Sequence, residues 1–118
     1  DGKRLLEVPV VPKRLPARDL PYSGGGYLRL LPLSLLTRLF ESAERDGQPV
    51  IAYVHPRELD PGQPRMKLSP WRHFKYYVGL NSVAEKLEHL FDRFRFGTLS
   101  AAAAAVEHDQ PFVVESTS

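Results

Sequence analysis

His55 is the residue whose type and position in this sequence best suit chemistry. It directly follows residues 50–54, a continuous apolar run that is typical of a buried strand. The carboxyl end of such a strand is where α/β sheets and barrels place ligands and catalytic groups. An imidazole there is suited to proton transfer near neutral pH. The alternative is a histidine that hydrogen-bonds the loop backbone and has no further role.

A glycine triplet is the second candidate site. Gly24, Gly25 and Gly26 precede Tyr27, and such a run can present backbone amides to an anion or a sugar. A triplet that stands alone is more typical of a tight turn ahead of a helix, because glycine supplies backbone freedom.

The third candidate is a stretch that interleaves basic and aromatic side chains: Arg65, Lys67, Trp71, Arg72, Phe74, Lys75, Tyr76 and Tyr77. This mixture suits stacking against nucleic acid bases or sugar rings. The alternative places Trp71 and Phe74 in the core and leaves the charges solvated. The sequence favours that alternative.

The sequence offers little for a metal. Cysteine is absent, which excludes disulfides, zinc-thiolate sites and cysteine nucleophiles. None of the four His residues lies three or four positions from another, the spacing that puts two ligands on one helix face. We therefore expect no metal to be bound by this chain alone.

Composition indicates a folded chain. Its 118 residues suffice for one small domain or a piece of a larger one. Hydrophobic residues make up 42% and charged residues 25%, which excludes disorder as the main state. A net charge of +2 is a weak argument for nucleic acid, which we do not expect as a partner. No apolar run is long enough to span a membrane, and residues 1–4 predict no signal peptide, so a cytoplasmic location is expected.

Three strands are predicted. Residues 5–11 are rich in β-branched side chains but contain a proline, which indicates an edge strand. Residues 50–54 should be buried on both faces, as in a parallel sheet. Residues 95–99 are a short third candidate. Residues 13–21 are predicted to be a proline-punctuated loop, and residues 27–31 an extended approach to the first helix.

Helices are predicted between the strands. The first covers residues 32–46, with a buried face formed by Leu36, Leu39, Phe40 and Ala43. The second covers residues 70–78. A capping box at Ser82 predicts a third, whose apolar stripe is Val83, Leu87, Leu90, Phe91 and Phe94. Ser100 is expected to cap a short helix at residues 101–105.

The alternation of strands and helices predicts an α/β fold with right-handed crossovers. Three strands are few for a parallel sheet that must be covered on both faces. We therefore expect the chain to be part of something larger, or to self-associate through missing strands.

Two motifs together resemble the polysaccharide deacetylase family. They are SGGGYLRLLP at residues 23–32 and YVHPRELD at residues 53–60. Residues 64–65, 71–74 and 94–96 fit the tail of the exosortase-associated subfamily, which is found in exopolysaccharide gene clusters. Tyr53 stands where the family's late Leu-x-His motif has leucine, and Arg57 stands where the subfamily often has tryptophan.

This resemblance covers roughly residues 5–100 and implies a fold, an activity and a site. The fold is a partial, distorted β/α barrel, with residues 1–108 as its C-terminal portion and residues 109–118 as a flexible tail. The complete enzyme would hydrolyse the amide bond of N-acetyl sugars with a divalent, zinc-like metal held by N-terminal motifs that this chain lacks. The partner would be an acetylated polysaccharide, with His55 as general acid. The substrate-binding residues would be Gly24, Gly25, Gly26, Tyr27 and Arg29.

A non-catalytic alternative also fits the sequence. The basic and aromatic residues 65–77 would then form a module that binds a glycan or a nucleic acid. An interaction domain completed by strands from another chain is a third interpretation.

Overall fold

The computed structural model describes residue 8 and residues 12–109, with backbone only for 105–109. The chain divides into two compact units. One is Val10–Arg95, and the other takes in both ends of the chain. The predicted strand at residues 5–11 therefore lies almost entirely outside the described residues, as does the predicted tail.

A small hairpin replaces the loop that was predicted at residues 13–21. Strands β1 (Lys13–Arg14) and β2 (Asp19–Leu20) pair antiparallel, with Lys13 opposite Leu20. The prolines do not prevent this pairing, because they lie before, between and after the paired residues. Pro16 lies in the turn, where its fixed φ suits a tight reversal.

Four helices follow in the larger unit. They are α1 (Gly25–Leu30), α2 (Leu33–Arg45), α3 (Pro70–Tyr77) and α4 (Val83–Arg93). The sequence predicted the last three within a few residues, because their apolar spacing and flanking breakers are strong signals.

Helix α1 corrects the prediction of a turn and an extended approach. Three of its six residues are of low helix propensity or aromatic, so the local sequence did not favour a helix. Tertiary contacts supply the stabilisation. Lys86 Nζ donates to the carbonyls of Leu28 and Leu31, both at 2.8 Å, at the helix end where carbonyls lack intrahelical partners. Burial of that ammonium lowers the pKa of Lys86.

Helix α4 buries most of its predicted stripe, and its capping box is absent. Ser82 Oγ donates to the carbonyl of Gly79 at 2.8 Å instead of capping the helix. Residues Leu80–Ser82 form a short 3₁₀ turn that joins α4 directly. Phe91, predicted on the stripe, is exposed, whereas Phe94 packs against the core.

The core of the larger unit lies between α1, α2 and α4. Its buried members are Tyr22, Leu28, Leu36, Leu39, Phe40, Val83, Leu87 and Leu90. The rings of Tyr22 and Phe40 meet edge-on at a centroid distance of 5.6 Å. The rings of Phe40 and Phe94 have centroids 5.4 Å apart. The predicted buried face of α2 is confirmed.

The predicted strand at residues 50–54 is wrong. Only Tyr53 pairs, through a single parallel bridge to Gly24. Tyr53 N donates to Ser23 O at 3.0 Å, and Gly25 N donates to Tyr53 O at 2.8 Å. The chain at Gly25 turns into α1, so the ladder cannot continue beyond one residue.

The third predicted strand is also wrong, and the smaller unit contains a helix. Residues 95–98 have no regular structure, and α5 (Leu99–Asp109) follows them. Thr98 Oγ1, rather than Ser100, accepts the amide of Ala101 at 3.2 Å. Within the described residues the fold is mixed α/β and mostly helical, with one two-stranded sheet. A partial β/α barrel stays a prediction. None of the helices in this part of the chain is long and apolar enough to cross a membrane.

Candidate functional site

His55 lies at the start of a short 3₁₀ turn, Pro56–Leu59, directly after the Tyr53 bridge. The amide of Glu58 donates to the carbonyl of His55 at 2.9 Å, which closes the turn. The imidazole is 54% exposed, so it can meet a substrate while its backbone is held.

Both nitrogens of the His55 ring face a partner. The Tyr53 hydroxyl lies 3.1 Å from Nε2, and the two rings meet edge-on at 4.8 Å between centroids. Nδ1 lies 3.7 Å from Glu58 Oε2. The same carboxylate oxygen accepts the backbone amide of His55 at 2.9 Å. Glu58 therefore accepts a hydrogen bond from the backbone of His55 and lies beside its ring.

Glu58 is the functional residue that sequence reasoning missed. It is only 3% exposed, although carboxylates are rarely buried unless they are paired. Its partner is Arg29, whose Nε lies 3.5 Å from Glu58 Oε1. Pro at the first position of a turn, followed two residues later by Glu, was a usable signal for a capped turn after His55.

Gly25 is required by this arrangement. A Cβ atom at position 25 would overlap the carboxylate of Glu58. The glycine triplet therefore begins α1 and lets a buried carboxylate approach the backbone. Gly24 N donates to Pro21 O at 3.3 Å, and the amide of Gly25 is used by Tyr53. Gly26 is exposed and Gly24 and Tyr27 are half-buried, whereas Gly25 and Arg29 are buried, so the last two are the inaccessible members of the predicted sugar-binding set.

Arg29 is buried behind Glu58. Its Nη1 donates to the carbonyls of Lys75 at 3.0 Å and Tyr76 at 2.7 Å. Burial lowers the pKa of Arg29, an effect that nearby Glu58 opposes and Arg57 reinforces. Arg29 thus joins the His55 turn to the last turn of α3, where a cation suits the helix dipole. A direct contact between Arg29 and a substrate stays a prediction.

An exposed aromatic face on α3 corrects the interpretation of Trp71 and Phe74 as core. Trp71 is 63% exposed and Phe74 is 49% exposed. Their rings are stacked, with centroids 6.0 Å apart and planes 14° from parallel. Lys75 Nζ lies 4.8 Å from the Trp71 ring. The buried aromatic residue of this helix is Tyr77, whose hydroxyl accepts the amide of Met66 at 2.9 Å.

A metal site was tested against the donors that are present. Across residue 8 and residues 12–104, whose side chains the structure describes, no group of three His, Asp or Glu side chains could hold a metal ion. The described residues therefore do not fit the metal that the resemblance implies.

The chain is thus a small, mostly helical α/β protein with a histidine held by a buried Glu–Arg pair. The family model described as a domain of unknown function (DUF3473) matches residues 1–104, and the chain belongs to that family. Neither the curated proteins nor the solved structures give a match to it.

Proposed function

We propose that this chain is the C-terminal segment of a metal-dependent polysaccharide deacetylase and that His55 is the general acid of the complete enzyme. The observation that carries the proposal is the accessible imidazole of His55, held from behind by the buried carboxylate of Glu58. Sequence motifs at residues 23–32 and 53–60 supply the resemblance to the deacetylase family.

The proposed step is one proton transfer. After water has added to the acetyl carbonyl, the bond between the acetyl carbon and the sugar nitrogen breaks, the protonated ring of His55 gives its proton to that nitrogen, and the products are an amine and acetate. Nδ1 faces Glu58, so Nε2 is the nitrogen that meets the substrate. Nε2 contacts the Tyr53 hydroxyl at 3.1 Å, so the sugar nitrogen would take the place of that hydroxyl.

The other residues of the site have supporting roles in this proposal. Glu58 orients the imidazole, and Arg29 neutralises the buried carboxylate. Gly24 and Gly25 bring α1 close to Tyr53 and Glu58, whereas Gly26 and Tyr27 line the sugar site. The family's metal ligands belong to motifs that this sequence does not contain, so no step here passes through a metal.

The same region also supports a proposal about the fold of the complete protein. The bridge between Gly24 and Tyr53 is parallel, which is the pairing that a β/α barrel repeats around its circumference. We propose that the remaining strands of a distorted barrel come from sequence outside this chain.

The test is His55→Ala in the longer protein, assayed on an N-acetylated oligosaccharide. A general acid contributes roughly 10²- to 10⁴-fold in rate, so turnover should fall by about that factor. His89→Ala is the matched control, because His89 is exposed on α4 and should leave turnover unchanged. Melting temperature and metal content are compared first. A folded, metal-loaded His55→Ala protein with turnover within a few-fold of wild type would contradict the assignment.

A second substrate separates proton donation from positioning. An aryl acetate ester has a leaving group of low pKa that needs little protonation. His55→Ala should therefore cost less rate on the ester than on the N-acetyl sugar. Equal losses on both would assign His55 a positioning role.

A second candidate function is a binding module without catalysis. The observation that favours it is the exposure of Trp71 and Phe74 next to basic side chains. If His55→Ala leaves turnover unchanged while Trp71→Ala abolishes glycan binding, this second function replaces the first.

A further inference from the structure

The positive charge of the chain is concentrated in one segment. Residues 57–77 carry five Lys or Arg against two acidic residues, whereas the remainder carries 11 against 12. One of the two acidic residues, Glu58, is buried and paired with Arg29. The accessible charge of this segment is therefore strongly positive.

The same segment presents an exposed pair of stacked aromatic rings. Trp71 and Phe74 are one helical turn apart on α3, and their nearly parallel rings are both about half exposed or more. Burying two such rings against a partner would remove a large apolar area from water. We call Trp71, Phe74 and Lys75 the α3 platform.

One cation contacts the rings of the α3 platform, and two more lie close to them in sequence. Lys75 lies over the Trp71 ring, and Lys67 and Arg72 are exposed nearby in sequence. An exposed aromatic pair with one cation against it and two more nearby in sequence matches a sugar polymer that carries carboxylates. The C–H face of a pyranose ring can lie on the aromatic rings, and Lys or Arg can pair with each carboxylate.

The neighbouring rings argue against single-stranded nucleic acid. Arg57 lies 4.7 Å from the centre of the Tyr76 ring, and Arg65 lies 4.6 Å from the centre of the Tyr77 ring. Tyr77 is itself buried and Tyr76 is less exposed than Trp71 and Phe74, so α3 offers a strand of successive bases few open rings. Nucleic acid binding by stacking uses a series of open rings along a basic groove.

The α3 platform is anchored to the His55 site within one compact unit. Arg29 binds the carbonyls of Lys75 and Tyr76 and pairs with Glu58, which holds His55. Arg57 Nη2 adds a longer contact to the carbonyl of Tyr76 at 3.4 Å. The C-terminal end of α3 is thus fixed relative to the His55 turn.

We propose that the α3 platform binds an acidic polysaccharide, one that alternates acetylated amino sugars with uronates. That this polymer is also the substrate presented to His55 rests on the proposed function. The choice of acetylated amino sugars rests on it as well, whereas binding of an acidic sugar polymer rests only on the exposed rings and the basic side chains.

The chain contains a single tryptophan, Trp71, so its fluorescence reports directly on the platform. The probes are a hyaluronan oligosaccharide, a chitin oligosaccharide of the same length, and a single-stranded oligothymidylate. Hyaluronan should shift and quench the fluorescence, and its affinity should fall as salt is added, because paired charges are screened. Chitin oligosaccharide should bind more weakly, and oligothymidylate weakest.

Variants assign the binding to the α3 platform. Phe74→Ala and Lys75→Gln should each weaken hyaluronan binding, the first by about tenfold or more because a stacking partner is lost. Leu35→Ala and Arg38→Gln are matched controls on the exposed face of α2 and should change nothing.

The proposal would be overturned if hyaluronan did not bind, if the chitin oligosaccharide bound equally well, or if oligothymidylate bound more tightly. It would also be overturned if the two α2 control variants lost as much affinity for hyaluronan as the α3 variants. His55→Ala separates this proposal from the proposed function. Binding that survives in a protein whose turnover does not depend on His55 would refute the general acid and leave the α3 platform standing.

Discussion

Replacing Glu58 with Gln tests the buried ion pair between Glu58 and Arg29. The change keeps the volume of the side chain and its ability to accept the amide of His55. It removes the charge that faces Arg29, whose Nε lies 3.5 Å from Glu58 Oε1. Since both side chains are buried, the guanidinium would be left without a counter-charge.

The expected cost follows from the geometry. Two unit charges 3.5 Å apart attract by about 5 kcal/mol at an effective dielectric constant of about 20. Breaking a buried pair by removing one partner typically destabilises a protein by about 3–5 kcal/mol. We expect the low end, about 3 kcal/mol, because Arg29 keeps its bonds to two carbonyls. The free energy of unfolding of a domain of this size is about 5–15 kcal/mol, so this loss would be a large part of it.

Urea unfolding followed by circular dichroism measures this cost. The urea concentration at the midpoint of unfolding should fall, while the slope of the free energy of unfolding against urea concentration should stay unchanged. That combination identifies a loss of stability and not a change in the unfolded state. Glu88→Gln, an exposed carboxylate on α4, is the control and should stay within about 0.5 kcal/mol of wild type. Adding Arg29→Met to Glu58→Gln should cost less than the sum of the two single changes, because no lone charge remains. Strict additivity, or a Glu58→Gln cost equal to that of the control, would refute the buried pair.

Further predictions concern packing and metal binding. Gly25→Ala should destabilise by about 1–3 kcal/mol through overlap with the Glu58 carboxylate, whereas Gly26→Ala in the same helix should stabilise by about 0.4–1 kcal/mol in the same urea assay. Leu36→Ala should cost about 2–5 kcal/mol, and Ile51→Ala distinctly less because its side chain is only half-buried; equal melting temperatures for the two would contradict this order. Calorimetric titration of this chain with zinc should reveal no stoichiometric, sub-micromolar site, and finding one would contradict the scattered placement of the His, Asp and Glu side chains among the described residues.

Prediction from sequence succeeded where the signal was local and periodic. Helix α2 was predicted with its buried face, because four apolar residues recur at helical spacing between Pro32 and Gly47. Helices α3 and α4 were found for the same reason. His55 was singled out because it follows an apolar run, which proved to be a single bridge and not a strand, and its role stays a prediction.

Prediction failed where the decisive partner is distant in sequence. The apolar run at residues 50–54 reads as a strand, yet only Tyr53 finds a partner, since the chain at Gly25 turns into a helix. Trp71 and Phe74 have the spacing of a core face, but Tyr77 is the residue that α3 buries. A helical period shows that residues share a face and does not show which face meets the core.

The sequence by itself therefore determined the positions of most helices, the absence of thiol chemistry and the histidine at the candidate site. Only the tertiary structure decided that Glu58 is buried, that Arg29 neutralises it, and that Gly25 must be glycine. The physical reason is that helix formation and side-chain chemistry depend on neighbours within a few residues. Burial of a charge depends on a counter-charge that the fold brings from another element, here from α1 to the turn at residues 56–59.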